Sequence, residues 1–392
     1  MSAVPANLRR ESAPPPPTTP YRAVQNARSG PRGQVDHVLL GVTMLLVAFG
    51  IVMVYSASAV FAEHLHHNGQ FFLVRQTAYA VIGFAAMGAF ARMDHTKLRA
   101  LTYPMLGVTV LLLCLVVVGF GHAGGGAARW IRIGPVNLQP AEIAKLSLIV
   151  WLSHSLAKKN EKIKTFSVGF LPHLLVAGVL MLLCLKQPDF GSAVVLLLLT
   201  FTLLFVAGAR TGYILGTFIA ALPVAVYLVM GTAYRRRRWD AFLDPQQYRG
   251  TIAYQLWQST ISFGAGGLAG VGLGDSRQKL FFLPEAHTDF ISAILGEELG
   301  FLGIAGLVIA YGVLVWRGVR IALRAGDDHG TYLAFGVTTL LTLQALINLG
   351  VAMGVLPTKG LTLPFISYGG SSLVMDLAAV GILLSVSRSV RS

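Results

Sequence analysis

The sequence has few charged residues and only two cysteines, and both shortages exclude classes of protein. Charged residues make up 12% of the 392 positions, whereas a soluble domain usually carries about 25%. Cys114 and Cys184 lie in separate apolar runs, so they supply neither a disulfide framework nor a cysteine-based metal site. A water-soluble globular domain and a disulfide-stabilised one are therefore both excluded.

Acidic residues are also scarce, because 17 Asp and Glu face 31 Lys and Arg and leave a net charge of +14. The bases lie mostly in short segments between apolar runs, where they set membrane topology and meet anionic lipid headgroups. A nucleic-acid interface would instead need them clustered on one face or along one helix. We therefore predict no nucleic-acid partner.

Long apolar runs are abundant, and 54% of all residues are hydrophobic. Runs of about 20 residues recur, each long enough to cross a hydrocarbon core of roughly 30 Å. They predict an all-α integral membrane protein with about ten transmembrane helices and a long, uninterrupted extracytoplasmic loop, 232–288, between helices 7 and 8. The predicted helices cover residues 38–57, 71–91, 101–120, 141–157, 167–185, 190–209, 212–231, 289–316, 331–353 and 371–389.

The start of the chain differs from the rest, with consecutive prolines at Pro14–Pro17 and almost no residues that form a core. We predict a disordered, Pro/Arg-rich cytoplasmic tail over 1–36 and a ten-helix transmembrane domain over 37–392. The bases of the short loops lie mainly on the side of the tail, which predicts that both termini are cytoplasmic and 232–288 is outside. The run Arg235–Arg238 is then external and needs an anionic partner, either phospholipid headgroups or a lipid-linked phosphate.

Ionisable residues inside or at the mouth of a helix bundle are informative, because burying a charge in lipid is costly. Glu142 and Lys145 are three positions apart near the start of the fourth helix, which predicts an ion pair on one face. A glycine-rich outer loop before them carries Arg129, and Lys186 and Asp189 follow at the outer junction of helices five and six. These residues indicate a polar site on the outer side.

The densest polar group runs from Pro284 to Glu298. If Pro284 starts a helix, Glu285 and Asp289 share one face, and Glu297 lies on that face roughly 12 Å deeper. Neighbouring carboxylates at an apolar boundary have raised proton affinity, which suits a general base near neutral pH. The alternative is that Glu285 caps the helix and that Glu297 and Glu298 pair with Lys or Arg in the bundle.

The segment 356–372 is irregular by composition, with prolines at Pro357 and Pro364 and three glycines. Non-helical backbone near membrane depth is tolerated only where protein or a watery cavity covers it, so this segment is predicted to line a site. Within it, Lys359 either binds a phosphate as a point charge or snorkels to the membrane interface.

An outward-facing site has no cytosolic nucleotide available, so its substrate must carry the energy for any synthesis. At a bilayer the obvious carrier is a lipid pyrophosphate, and a carboxylate base with several cations fits glycosyl transfer from a lipid-linked sugar. Charged residues in helices serve transport equally well. On the residues alone, a transporter is the favoured reading and a glycosyltransferase the alternative.

Five stretches of the chain resemble signatures of the SEDS family, the shape, elongation, division and sporulation proteins. Their order is consistent from residue 36 to the C-terminus. Residues 284–287 and 356–361 are similar to the FtsW-type division branch, whereas Ser292 stands where relatives usually carry a larger aromatic residue. The five stretches are 129–145, 186–192, 284–290, 296–300 and 357–372.

The resemblance implies a peptidoglycan glycosyltransferase that polymerises lipid II at the outer face of the bacterial cytoplasmic (inner) membrane, at the division septum. It also implies a class B penicillin-binding protein transpeptidase and other divisome proteins as partners. The family's catalytic acid maps onto Asp289, which is expected to act as general base, with undecaprenyl pyrophosphate as the leaving group. The expected substrate-binding residues are Arg129, Glu142, Lys145, Lys186, Asp189, Glu285, His287, Thr288, Lys359, Ser367 and Tyr368.

Some alternatives stay open beside this expectation. No tightly bound cofactor is expected, but a divalent cation, Mg²⁺ or Mn²⁺, that bridges Asp289 and the pyrophosphate is compatible with the chemistry. The competing functions are a lipid II flippase or transporter, an elongation-type (rod-shape) SEDS polymerase, and a scaffold without activity. A flippase needs polar groups along a whole path across the membrane, whereas the strongest motifs here lie toward the outer face.

Overall fold

The computed structural model describes residues 34–124, 127–134, 136–231 and 233–389, so most of the predicted tail, 1–36, lies outside the described residues. The described chain folds into twelve α-helices and one small antiparallel sheet. The helices are α1 His37–His66, α2 Phe71–Arg92, α3 Leu98–Leu115, α4 Pro140–Lys158, α5 Leu171–Lys186, α6 Phe190–Val206, α7 Thr211–Met230, α8 Ala233–Leu243, α9 Tyr254–Gly266, α10 Ile291–Leu323, α11 Asp328–Ala352 and α12 Gly370–Ser387.

Each of the ten predicted transmembrane helices has a helical counterpart, and the prediction of an all-α membrane protein is confirmed apart from the small sheet. Among the described residues, seven helical stretches are long and apolar enough to cross a membrane. These are α1, α2, His95–Phe120 with α3, Phe166–Lys186 with α5, α10, α11 and α12. The helix α6 and the first part of α7 are shorter apolar helices, while α4 carries buried charged residues.

Two segments predicted as loops contain helices or strands. The segment 232–288 is not an uninterrupted loop, because it contains α8 and α9. The glycine-rich loop before α4 forms three antiparallel strands, β1 His122–Gly124, β2 Ala127–Ile133 and β3 Val136–Leu138, in the order β1–β2–β3. Glycine dominates the sequence just before β2 and obscures the alternation of Ile131, Arg132 and Ile133 that is typical of a strand.

The helix α10 is interrupted at Gly300, whose φ of 64° and ψ of −160° lie outside the helical region. The carbonyl of Glu297 accepts a bond from Val271 N at 3.0 Å, and Phe301 N donates to the carbonyl of Gly267 at 2.9 Å. Backbone from the glycine run after α9 therefore replaces the missing helical bonds. An interrupted helix of this kind is tolerated in a membrane protein where other protein covers the freed groups.

The glutamates beside this break hold the segment between α9 and α10. Glu298 pairs with Lys279 at 2.9 Å and accepts a bond from Ser56 of α1 at 2.7 Å. Glu297 accepts bonds from Ser276 and from the main-chain nitrogen of Arg277 at 3.1 Å. The alternative in which these glutamates pair inside the bundle is confirmed for Glu298, and Glu297 is satisfied by neutral donors.

Candidate functional site

A cavity of about 630 Å³ opens at one end of the bundle. It lies where α2, the sheet, the start of α4 and α8 meet two irregular segments, 284–290 and 356–369. Its volume is in the range of about 300–1,000 Å³ that small-molecule sites have. Its wall is unusually rich in ionisable groups for a membrane protein, with cations and carboxylates facing the same space. Those in the described part of the wall include Arg75, Arg129, Arg238, Lys359, Glu142, Glu285 and Asp289.

Asp289 lies in this wall two residues before α10 begins. The pKa of its carboxyl is raised to about 7, because burial and then the negative charge of Glu285 raise it more than Arg129 and Arg238 lower it. The carboxyl therefore loses and gains a proton near neutral pH. This property suits a general base, whose pKa should lie near the working pH.

The turn that carries Asp289 is not helical, so the condition that Pro284 starts a helix is not met. Residues 284–290 form turns, and α10 begins only at Ile291. Glu285 has a left-handed φ of 57°, and it accepts a bond from the Thr288 hydroxyl at 2.8 Å. Glu285 and Asp289 thus meet at the cavity through a tight turn and do not share a helix face.

Three consecutive carbonyls of this turn accept hydrogen bonds from outside it, and we call these three bonds the carbonyl clamp. They run from Tyr368 N to His287 O at 2.9 Å, from Ser367 Oγ to Thr288 O at 2.6 Å, and from Asn348 Nδ2 to Asp289 O at 2.9 Å. These carbonyls are consequently not available for the bonds that would extend α10 toward its N-terminus. The clamp is a physical reason that α10 begins only at Ile291, and sequence spacing cannot predict bonds from such distant residues.

The segment between α11 and α12 touches the Asp289 carboxylate directly. A Cβ placed on Gly360 would lie 2.7 Å from Asp289 Oδ2, so only glycine fits there without displacing the carboxylate. Next in the chain, the carbonyl of Leu361 accepts a second bond from Asn348 Nδ2 at 2.7 Å. The prediction that 356–372 lines a site agrees with the cavity wall.

The cations of the wall are held by main-chain carbonyls and aromatic rings. Arg129 on β2 donates to the carbonyl of Gln187 at 3.1 Å. Arg238 on α8 donates to the carbonyl of Thr358 at 3.2 Å, and Lys359 Nζ lies 3.4 Å above the ring of Phe190. In the run Arg235–Arg238, Arg238 lines the cavity, whereas the neighbouring arginines at 236 and 237 are exposed.

The ion pair predicted from spacing in α4 is present. Lys145 Nζ lies 2.8 Å from Glu142 Oε1, and both side chains are buried. With its amide oxygen turned toward the lysine, Gln344 accepts from Lys145 Nζ at 2.6 Å and donates to Asp376 at 3.2 Å. Glu142 lies in the cavity wall and Lys145 behind it, so the lysine neutralises the carboxylates of the bundle instead of facing a ligand.

Several residues expected to bind substrate lie elsewhere. Lys186 is exposed at the end of α5, and Asp189 caps α6 by accepting from Ser192 N at 3.1 Å. His287 packs against the ring of Phe72, with centroids 4.6 Å apart, and burial lowers its pKa. None of these three, nor Lys145 or Ser367, belongs to the cavity wall formed by the described residues.

Sequence reasoning missed several polar residues of the wall, among them Arg75 and Tyr79 of α2. Arg75 lies over the ring of Phe71, 4.3 Å from its centroid. The signal was present, because an arginine inside an apolar helix is a candidate functional residue by default.

Comparison with known proteins finds relatives over nearly the whole chain. Residues 36–392 match the sequence profile of the FtsW/RodA/SpoVE family, described as a cell cycle protein. The chain is 49% identical over 357 residues to a probable peptidoglycan glycosyltransferase FtsW of Geobacter metallireducens, which covers 91% of this chain and 95% of that protein. It is 41% identical over 357 residues to stage V sporulation protein E of Bacillus subtilis, which covers 91% and 98%.

Solved structures are also similar to this chain over most of its length. A chain of a peptidoglycan synthase complex, described as coordinating polymerization and crosslinking, has a TM-score of 0.75 and 31% identity, covering 90% of this chain and 98% of that chain. The crystal structure of the rod shape determining protein RodA of Thermus thermophilus has a TM-score of 0.67 and 30% identity, covering 91% and 98%. The helical membrane fold is therefore shared with proteins of known structure.

Proposed function

The chain belongs to the FtsW/RodA/SpoVE family of cell cycle proteins, and we propose that it is a peptidoglycan glycosyltransferase that polymerises lipid II for cell division. The relatives named FtsW support the division-type assignment, because identity to one of them reaches 49%, against 30% for the rod-shape protein. The observation that carries the enzymatic role is the cavity in which Asp289, with a pKa of about 7, faces several cations.

In the proposed reaction, the ionised Asp289 takes the proton of the 4-hydroxyl group of the acceptor sugar. The hydroxyl oxygen forms a bond to the anomeric carbon of the donor, and the bond from that carbon to undecaprenyl pyrophosphate breaks with inversion. The electron pair of the broken bond stays on the pyrophosphate, and the proton stays on Asp289 until it passes to water. General base catalysis of this kind contributes about 10²–10⁴-fold to a rate.

The cations of the wall suit the pyrophosphate of the leaving group. Arg75, Arg129 and Arg238 present planar guanidinium groups, which match phosphate oxygens in a bidentate way. Lys359 adds a point charge to the same wall. Negative charge that develops on the departing pyrophosphate is thereby stabilised in a site that α8 and the irregular segments partly shield from water.

The proposal also includes a divalent cation, for which Asp289 would be a ligand. No group of three or more His, Cys, Asp or Glu side chains converges among the described residues. The protein would therefore supply Asp289 with the adjacent Glu285, and phosphate oxygens would complete the coordination shell, as is usual for Mg²⁺. Such an ion supplies charge neutralisation for the leaving pyrophosphate.

Orientation and partners follow from the same proposal. The cavity end of the bundle faces the outer side of the cytoplasmic membrane, both termini are cytoplasmic, and the enzyme works at the division septum. A class B penicillin-binding protein transpeptidase is the proposed partner, with other divisome proteins around the pair. The structural similarity to a chain of a synthase complex that couples polymerization with crosslinking supports this partner.

The competing function is transport of lipid II. The residues of the described cavity wall lie at one end of the bundle. A polymerase needs a site at only one end, so this placement favours a polymerase over a transporter. The test is to reconstitute the protein with its transpeptidase in liposomes that hold fluorescent lipid II in both leaflets. Glycan polymer at unchanged lipid II distribution supports the polymerase, whereas lipid II that crosses the bilayer without polymer replaces it with a flippase.

A further inference from the structure

Asn348, on α11, is buried at 2% exposure and faces the turn that carries Asp289. Its single amide nitrogen donates to two carbonyls, those of Asp289 at 2.9 Å and Leu361 at 2.7 Å. Its amide oxygen accepts a bond from the Ser292 hydroxyl at 3.1 Å. One buried side chain therefore joins α10, α11 and the segment before α12 at the carboxylate.

Both carbonyls bonded by Asn348 belong to the backbone that positions the reacting group. Asp289 bears the carboxyl, and Leu361 follows Gly360, where an added Cβ would lie 2.7 Å from Asp289 Oδ2. A buried amide that satisfies both carbonyls fixes the distance between the two backbone segments, since leaving either carbonyl unsatisfied is costly. The width of the cleft at Asp289 thus depends on the Asn348 side chain.

Ser367 makes a parallel contact one residue earlier. Its hydroxyl donates to Thr288 O at 2.6 Å and accepts from Leu363 N at 2.9 Å. Ser367 is buried and, among the described residues, does not line the cavity. It acts on the main chain of the turn, in the same way as Asn348.

We propose that Asn348, assisted by Ser367, is a positioning residue that holds the Asp289 carboxylate at the attacking hydroxyl of the acceptor. This inference rests on the proposed polymerase function. It gives these two buried side chains a role in the rate of transfer, and none in the binding of lipid II. The reason is that both act through the backbone of 288–289 and neither reaches the cavity.

The first test replaces Asn348 with leucine, which has a similar volume and no donor. Polymer formation is measured per folded complex with the transpeptidase, as a function of lipid II concentration. We expect kcat to fall about 10²-fold, the usual effect of misplacing a reacting group by about 1 Å. The KM for lipid II should stay within about twofold, since only a step after binding is affected.

The comparison of kcat with KM separates positioning from a merely structural role. A loss of folded protein alone would not change kcat per folded complex, whereas a displaced carboxylate lowers kcat at an unchanged KM. The matched control is Thr338→Val on the same helix. Thr338 is buried, its hydroxyl donates to Ala334 O of the preceding turn, and it lies roughly 15 Å from Asn348 along the helix.

The second variant, Ser367→Ala, removes only a hydroxyl and decides the matter if Asn348→Leu does not fold. It should show the same lowered kcat at an unchanged KM, to a smaller degree. Unchanged kcat in folded variants overturns the inference, as does a raised KM with unchanged kcat. Absence of polymer from the wild-type complex would instead refute the polymerase function, so the two failures are distinguishable.

Discussion

Glu285 lies beside Asp289 across a tight turn, and its negative charge raises the pKa of the Asp289 carboxyl above the value that burial alone would give. The same turn exposes both carboxylates to the cavity. Arg129 and Arg238 oppose this effect, so the proton affinity of the base is set by a balance of charges in one wall. This balance makes the pH dependence of the reaction sensitive to single substitutions.

The first prediction concerns pH. Because the ionised form of Asp289 accepts the proton, the rate of polymer formation should rise with pH through a midpoint near 7. Glu285→Gln removes the neighbouring negative charge, favours the ionised carboxylate and should move the midpoint to lower pH. Initial rates across a pH series measure both midpoints, and an unchanged or higher midpoint in Glu285→Gln contradicts the assignment.

The second prediction concerns Gly360. In Gly360→Ala, the added methyl group would lie 2.7 Å from Asp289 Oδ2 and push the carboxylate aside. Activity should fall about 10²-fold while the melting temperature changes little, because Gly360 is exposed. The control is Gly264→Ala in α9, where a Cβ has nothing within 4 Å. Equal activity of the two variants would show that Gly360 does not constrain the base.

A third prediction separates two neighbouring arginines of α8. Arg238 lines the cavity and Arg237 is exposed, so they form a matched pair. Arg238→Ala should lose about 1.5–3 kcal/mol of transition-state stabilisation, the typical contribution of a hydrogen bond to a charged group. Arg237→Ala should stay within about 0.5 kcal/mol of wild type, as exposed substitutions usually do.

The arginine pair is measured through kcat/KM for lipid II at fixed salt concentration. Arg238→Ala should also move the pH midpoint upward, because this arginine lowers the pKa of Asp289. If both variants lose activity equally, the basic run acts as a general attraction for anionic lipid, and the specific role of Arg238 is refuted.

The fourth prediction concerns stability. Lys279 and Glu298 form a buried pair at 2.9 Å, with exposures of 8% and 0%. Lys279→Met leaves the carboxylate uncompensated and should cost about 3–5 kcal/mol of unfolding free energy. The double variant Lys279→Met with Glu298→Gln should recover part of this loss, as measured by thermal unfolding in detergent. No recovery would contradict the uncompensated charge of Glu298 as the cause of the loss.

The sequence predicts the helices well because each depends on a local apolar run, as α1 and α11 illustrate. It also predicts the Glu142–Lys145 pair, since a helical spacing brings the two side chains together. It does not predict the break at Gly300 or the non-helical turn before α10. Both depend on hydrogen bonds from distant backbone or side chains, such as Val271 N and the carbonyl clamp.

The candidate site, too, could be predicted from the sequence only in part. Motif resemblance singled out Asp289, Arg129 and Lys359, which the structure brings to one cavity. Motif membership could not distinguish side chains that face the cavity from those that support it, such as Asp189, a helix cap. That distinction requires the three-dimensional packing of α4, α6 and the irregular segments.

The central claim is that Asp289 is the base of a lipid II polymerase, and its most direct test is Asp289→Asn. The purified complex with the transpeptidase is supplied with lipid II, and glycan polymer is measured at equal amounts of folded complex. Polymer from wild type and none from Asp289→Asn, with lipid II binding retained, is the predicted result. Equal polymer from both proteins would contradict the account.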